Sequence, residues 1–206
     1  MSEKALELQF LSRGADDAAV ASILRLSISI FRSFNTEPDS HRASLEVWKE
    51  RLSDPASSIV YLVPSEPDQF PPSSSSLSSS SEDDQPNSNS PVPPPPVPVG
   101  FIFAYPRSHP EPLKNGSSQS LHIWLAGVLE EYRGRGSLDT MVNALIDLER
   151  KRWGSDPSLM PTFTVCTNPS MFPSMWAWVR ARKRWVLEKE FDEGKVMFSL
   201  TGRYNA

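Results

Sequence analysis

The stretch from Leu121 to Leu138, LHIWLAGVLEEYRGRGSL, continued by DTMVNALIDLER, constrains this chain more than any other. An apolar run long enough for a strand breaks at a turn of glycine and arginine. After the turn, Leu138, Met141, Val142, Leu145 and Ile146 recur at i, i+3, i+4, i+7 and i+8, the spacing of one buried helix face. The helix is expected to run to about Trp153. The first N–H groups of such a helix have no partner within it, and its dipole adds partial positive charge at that end. Gly134 and Gly136 let the backbone come close to an anion, and Arg133 and Arg135 add formal charge. The turn therefore suits a pyrophosphate. A P-loop would need a lysine and a hydroxyl after its last glycine, and the three-glycine dinucleotide fingerprint is incomplete here.

The rest of the chain alternates strand-like and helix-like patterns, which predicts an α/β fold. Ala5 to Leu11 reads as a strand; Asp16 and Asp17 open a helix whose apolar positions are Val20, Ile23, Leu24, Ile28 and Phe31. Leu45, Trp48 and Leu52 form a second short stripe, and Ser58 to Val63 is a β-rich run ending at Pro64. Val99 to Tyr105 and Leu121 to Leu129 are expected to pair as a hairpin across a polar connection. Thr162 to Thr167 reads as a strand, Ser174 to Trp185 as a helix, and Val186 to Phe191 with Val196 to Leu200 as a closing hairpin turning at Glu193-Gly194. Between the second and third strands lies Ser65 to Pro98, with SSSSLSSSSEDD and PVPPPPVP. It has too few large apolar side chains to offset the entropy of ordering, so it reads as a disordered insertion. Its proline run favours polyproline II and is open to a proline-reading partner.

Charge and cysteine content exclude several classes. The 206 residues carry 21 basic and 25 acidic side chains, a net charge of -4, which speaks against bulk nucleic-acid binding. RGRG occurs once, between a strand and a core-facing helix, unlike the repeated arginine-glycine segments that bind RNA. The lone Cys166 excludes an internal disulfide and fits a reducing compartment, so a cytoplasmic or nuclear setting is expected. The start MSEKALELQFL has charges where an export signal needs an apolar core, and no run of about eighteen apolar residues occurs, so no membrane span is expected. His41 and His109 sit in polar, turn-like surroundings, and no cluster has metal-ligand spacing, so no metal is expected.

The strand–turn–helix residues resemble the GNAT superfamily of acyl-CoA N-acyltransferases, whose hallmark is Arg/Gln-x-x-Gly-x-Gly/Ala after a strand. Arg133, Gly134, Arg135, Gly136, Ser137 and Leu138 occupy those six positions. Val128 matches the strand position whose backbone usually meets the pantetheine arm, and Asn168 a cofactor-side residue after the next strand. The order of elements from residue 5 to residue 200 is similar too, and TVCTNPSMFPSMWAW followed by EGKVMFSL resembles a group of small GNAT proteins. The resemblance implies one GNAT-like N-acetyltransferase domain over residues 1–206, with a mixed central sheet flanked by helices and the insert at 65–98. It implies acetyl-CoA as co-substrate and a primary amine of a small molecule, peptide or protein as acceptor. The amine would attack the thioester directly in a ternary complex, with Gly127, Val128, the six turn residues and Asn168 on the cofactor and the main chain near Gly127 and Val128 facing the oxyanion. His122, eleven residues before Arg133, matches the spacing of a glutamate base in some members. A half-buried strand histidine held by one hydrogen bond is the competing account.

The sequence departs from the family pattern at three places. Leu138 stands where a small residue is usual, its side chain aimed either at the phosphate or into the core. Glu130 replaces a proline, and Arg184-Trp185 stands where Gly-Phe or Gly-Tyr is expected, which removes the tyrosine that often protonates the leaving thiolate. A catalytically inactive CoA-binding or regulatory protein with the same fold is thus the alternative. Cys166, in an apolar strand without an adjacent base, reads as a small core residue, and the RARKR run at Arg180 to Arg184 as a solvated basic helix end.

Overall fold

The computed structural model describes residues 5–32, 44–65, 97–154, 156 and 159–200. The interior of the Ser/Pro-rich insert, together with His41, lies outside these residues. Within them the chain runs β1 (Leu6–Leu11), α1 (Asp17–Phe31), α2 (Leu45–Leu52), β2 (Ser58–Pro64), β3 (Gly100–Ser108), β4 (Gln119–Val128), α3 (Ser137–Trp153), β5 (Phe163–Thr167), α4 (Pro173–Arg180), β6 (Val186–Glu190) and β7 (Val196–Leu200). The strands form one seven-stranded sheet in the order β1-β2-β3-β4-β5-β7-β6. Every pair is antiparallel except β4 with β5. The expected mixed sheet flanked by helices is what the chain forms, with the insert's two ends on β2 and β3.

Alternation along the strands builds the two faces. On one, Phe101, Phe103 and Leu125 meet Val20, Ile23 and Leu24 of α1 and Trp48 of α2. Trp48 has no exposed surface and touches Phe101, Phe103 and Trp124 at centroid distances of 5.9, 5.1 and 6.0 Å. On the other face Ile102, Ala104, Phe163 and Phe198 pack under Met141, Leu145 and Ile146 of α3 and Val179 of α4. Asp16 caps α1, its carboxylate accepting from the Ala19 N–H at 3.2 Å. The expected hairpin of β3 with β4 forms, and the β6–β7 turn carries Gly194 at a φ of 71°.

One expectation is corrected. The apolar pattern from Ser174 to Trp185 is helical only from Pro173 to Arg180. Beyond that, the Arg182 guanidinium donates to the Trp178 carbonyl at 2.8 Å and pairs with Asp139 of α3. The acceptor a continuing helix would use is thereby engaged by a side chain. Trp185 then swings under α4 against Trp178, with ring centroids 5.9 Å apart.

Candidate functional site

The parallel pairing of β4 with β5 covers only Leu121, His122 and Ile123 against Phe163, Thr164 and Val165. Both strands continue past that point without pairing each other. Where they part, β4 has a bulge: Phe103 faces Leu125 and Ala104 faces Ile123, so Trp124 is the extra residue. Beyond the bulge, Leu129 donates to Val99 at 2.9 Å. Antiparallel alternation from that bond turns the N–H groups of Gly127 and Leu125 toward β3 and those of Ala126 and Val128 toward the gap. Of the main chain near Gly127 and Val128, the N–H groups that face the gap are thus those of Val128 and Ala126. A Cβ at Gly127 would meet Ile30 of α1 at 3.0 Å, so this position is also closely packed.

At the far end of β4 the chain makes one 3-10 turn, Glu130–Tyr132, and enters α3 through the RGRG turn. Gly134 and Gly136 adopt φ values of 74° and 76°, the left-handed region that glycine enters without strain. A Cβ built on either would meet nothing within 4 Å, so this side of the turn is an open cradle. Thr140 N–H closes the first helical bond on Gly136 at 2.9 Å, leaving the N–H groups of Ser137, Leu138 and Asp139 at the free end of the helix. Arg133 Nε donates to the Val128 carbonyl at 2.9 Å, and the Arg135 guanidinium lies 5.8 Å from the Tyr132 ring centre. Ser137 Oγ donates to the Tyr132 carbonyl at 3.1 Å. The Leu138 side chain is partly buried and packs against the core cluster beneath α3. The donor set fits a pyrophosphate: two left-handed glycines, free helix N–H groups and two guanidinium groups.

The gap itself opens into a cleft of about 1090 Å³ that includes Tyr105, Arg107, His122, Trp124, Cys166 and Asn168 in its walls. His122 is only 4% exposed. Its Nε2 faces Arg107 Nη1 at 3.4 Å and its Nδ1 faces Thr164 Oγ1 at 3.0 Å. A guanidinium only donates, so Nε2 is the acceptor and Nδ1 carries the proton. Burial, and then the positive charges of Arg107, His109 and Arg51, hold the imidazole down to about 3, so it is neutral near pH 7. Thr164 Oγ1 also meets Ser120 Oγ at 2.8 Å, which meets His109 Nε2 at 2.7 Å. Asn168 uses both ends of its carboxamide locally: Oδ1 accepts from Ser170 and Met171 at 3.0 and 3.3 Å, and Nδ2 donates to the Glu193 carbonyl at 3.2 Å. It therefore braces the wall formed by α4's approach and the β6–β7 turn. Burial pushes the Cys166 thiol up, as a semi-buried strand cysteine requires.

The chain aligns with solved structures over most of its length. An acetyltransferase of GNAT family from Staphylococcus aureus Mu50 is 10% identical with a TM-score of 0.58, covering 96% of this chain and 100% of that one. The fold is of the GNAT type. Aminoglycoside N-acetyltransferase AAC(6')-Iy in complex with CoA is 13% identical at a TM-score of 0.54, over 87% and 88% of the two chains. An aminoglycoside acetyltransferase from an uncultured soil metagenomic sample, in complex with sisomicin, is 11% identical at 0.51, over 86% and 87%. The sequence matches no family model and no curated protein.

In this GNAT-type frame, His122, Trp124 and Asn168 gather around the cleft, while Arg133 to Leu138 form a separate cluster joined to it by the last residues of β4. Sequence reasoning missed Arg107, Tyr105 and Arg51. Tyr105 and Arg107 are two apart on β3 and so share a face, a period-2 signal visible in YPR. Arg51 reaches the same place from α2: its guanidinium lies 4.4 Å from the Tyr105 ring centre and 3.9 Å from that of Trp124. Two buried polar atoms here have no partner among the described residues, Arg51 Nη1 and Thr167 Oγ1. Such atoms are uncommon in protein interiors. Among the described residues no group of three or more His, Cys, Asp or Glu is arranged to hold a metal, and no helix is long and apolar enough to cross a membrane.

Proposed function

We propose that this chain, acting as one GNAT-like domain interrupted by its insert, is an N-acyltransferase that moves an acetyl group from acetyl-CoA to a primary amine. The observation that carries this reading is the pair of left-handed glycines, Gly134 and Gly136, at the free start of α3, directly beyond the gap between β4 and β5. Solved neighbours support it: one is an acetyltransferase, and another is an N-acetyltransferase in complex with CoA. Acetyl-CoA would supply the thioester. The chain's own residues would do the rest. Gly134, Arg135, Gly136 and the N–H groups from Ser137 to Asp139 would hold the pyrophosphate, with Leu138 fixing the helix start from below. Arg133 would brace the end of β4 through the Val128 carbonyl, and the N–H groups of Val128 and Ala126 would face the pantetheine arm and the oxyanion. Asn168 would keep the opposite wall at its distance. His122 would accept the amine's proton at Nε2, and Tyr105 is the phenol in the cleft for the leaving thiolate.

Support for the alternative, a CoA-binding protein without turnover, comes from the same histidine, because both of its ring nitrogens are engaged. Calorimetric titration of the full chain with acetyl-CoA, repeated with Arg133→Ala and Gly136→Asp, tests the cofactor site. Micromolar binding by the wild type, weakened about tenfold or more in Arg133→Ala and abolished in Gly136→Asp, is expected; absence of heat and of any thermal shift at millimolar acetyl-CoA in the wild type would sink both readings. Thiol release with added amines then separates enzyme from binder.

A further inference from the structure

We propose that the acceptor is a primary amine that also carries a carboxylate, and that Arg107 takes this carboxylate and in doing so releases Nε2 of His122. The inference deepens the N-acyltransferase reading and rests on it, with His122 as the base.

The cations at this end of the cleft lack a counter-charge. Arg107 lines the cleft, where it meets the neutral His122 and, more weakly, the Cys166 thiol; it makes no ion pair among the described residues. Arg51 is stacked on Tyr105 and Trp124, with Nη1 buried and unpartnered. Lys195 adds a third positive charge in the wall. The carboxylates among the lining residues, Asp192 and Glu193, are exposed on the β6–β7 turn, as Lys195 and Arg107 are at their own strands' ends, and neither carboxylate pairs with Arg107 or Arg51. A purely cationic amine, such as a polyamine, would meet repulsion here. An amine with its own carboxylate would bring the missing charge, and a guanidinium fork binds a carboxylate better than any other side chain does.

The same contact explains how His122 becomes useful. In the structure its Nε2 lone pair is occupied by a long bond from Arg107, and Arg107, His109 and Arg51 all oppose a second proton on the ring. Groups facing the ring from other elements, Thr164 on β5 and Tyr105 on β3, are neutral. A carboxylate in bidentate contact with Arg107 competes for the donor that now points at Nε2 and offsets its charge. Once the Arg107 donor has turned to the carboxylate, the amine's proton can move to Nε2 while Nδ1 keeps its proton on Thr164. The amine nitrogen adds to the thioester carbonyl, the C–S bond breaks, and CoA leaves as a thiolate that takes its proton from Tyr105.

The test uses the full chain with CoA present. β-Alanine stands for a free aminocarboxylate and the tripeptide Asp-Asp-Gly for an acidic chain end, against β-alaninamide and 1,4-diaminobutane as acceptors without the carboxylate. With acetyl-CoA, thiol release should favour a carboxylate-bearing amine over β-alaninamide at least tenfold in kcat/KM; Arg107→Gln should erase that preference, and Arg107→Lys should restore part of it. Which of the two carboxylate probes works identifies the source. Independently of turnover, the ¹⁵N resonance of His122 Nε2 should move on adding the working probe, and stay still with β-alaninamide or in Arg107→Gln. Equal or better use of the diamine, a preference that survives Arg107→Gln, or an Nε2 resonance indifferent to both carboxylate probes overturns the proposal. Arg133→Ala keeps the two ideas apart: it should lose CoA affinity yet retain the carboxylate-dependent shift. Failure of CoA to bind the wild type would remove the enzyme reading and leave that shift to be judged alone.

Discussion

Arg133 Nε donates to the carbonyl of Val128 at 2.9 Å, tying the first residue of the RGRG turn to the last residue of β4. The bond couples the anion cradle to the edge of the gap, so a single side chain sets the position of both. Replacing Arg133 with alanine removes a charge-assisted bond and a cation beside the cradle. An affinity loss for acetyl-CoA of about tenfold or more, equal to about 1.4 kcal/mol, is expected from calorimetry. Because Arg133 is exposed, thermal unfolding of the variant without ligand should stay close to wild type.

Gly136 is the N-cap of α3 at a φ of 76°, and nothing crowds the place where a side chain would go. The penalty for any other residue is therefore in the backbone. Gly136→Ala is expected to lower stability by about 1–2 kcal/mol, read from urea unfolding. Gly136→Asp recovers part of that through the favourable interaction of a carboxylate with a helix start. It nevertheless sets a negative charge against the phosphates, so acetyl-CoA binding should vanish from calorimetry in the aspartate variant while weakened binding survives in the alanine one.

What could be read from residues alone follows from how local each feature is. The helix Ser137–Trp153 and the strands β3, β4 and β7 carry their own periodicity, and the turn between β4 and α3 is written in adjacent residues. The end of α4 at Arg180 was not legible, because it depends on Arg182 finding Asp139, 43 residues away. The bulge at Trp124 was hidden for a similar reason: it is a register shift against β3, and the β4 sequence alone shows an unbroken apolar run. Tyr105 and Arg51 come together only because α2 packs over β3, and neither sits in a motif. Asn168 lies in the cleft wall, and its carboxamide bonds to the turn around it, which composition cannot reveal.

Trp48 joins α2 to the sheet, fully buried between Phe101, Phe103 and Trp124. Truncation to alanine leaves a cavity that neighbouring rings cannot close and should destabilise the fold by about 3–5 kcal/mol in urea unfolding. Since Trp124 stacks on both Trp48 and Arg51, the loss should also loosen the cation above the cleft. A Trp48→Phe variant, which keeps most of the volume, should recover over half of the stability.

The β2–β3 ladder pairs Ser58–Leu62 with Ala104–Gly100, and Val99 donates to Leu62 at 2.8 Å, so the strands hold each other up to the point where the insert begins. Replacing residues 66–96 by a six-residue Gly/Ser linker should leave the fold intact. Closing a connection about fivefold shorter is easier by about 1.5 kcal/mol, and a small rise in melting temperature is expected. Acetyl-CoA affinity should not change, because none of the cradle residues lies on this hairpin. A collapse of the fold would instead show that the insert packs on the domain.

His122 is buried in its neutral form, with its ring held from the ordinary 6.5 down to about 3 by burial first and by Arg107, His109 and Arg51 after that. The unfolded chain takes up a proton on this residue below about pH 6.5, and the folded chain does so only near pH 3. The unfolded state therefore binds more protons within that window, so the stabilising contribution is complete above pH 6.5 and shrinks as pH falls toward 3. Each pH unit inside the window weakens the fold by up to about 1.4 kcal/mol on account of this one group. His122→Gln keeps a hydrogen-bonding side chain and removes the titration. Urea unfolding at pH 7 and pH 4.5 should show a shallower acid-side loss in the variant than in wild type, while His109 and the carboxylates contribute to both. An identical acid-side loss in the two proteins would mean that His122 takes up its proton in the folded chain as readily as in the unfolded one, and the bond from Arg107 to Nε2 would then have no hold on the ring.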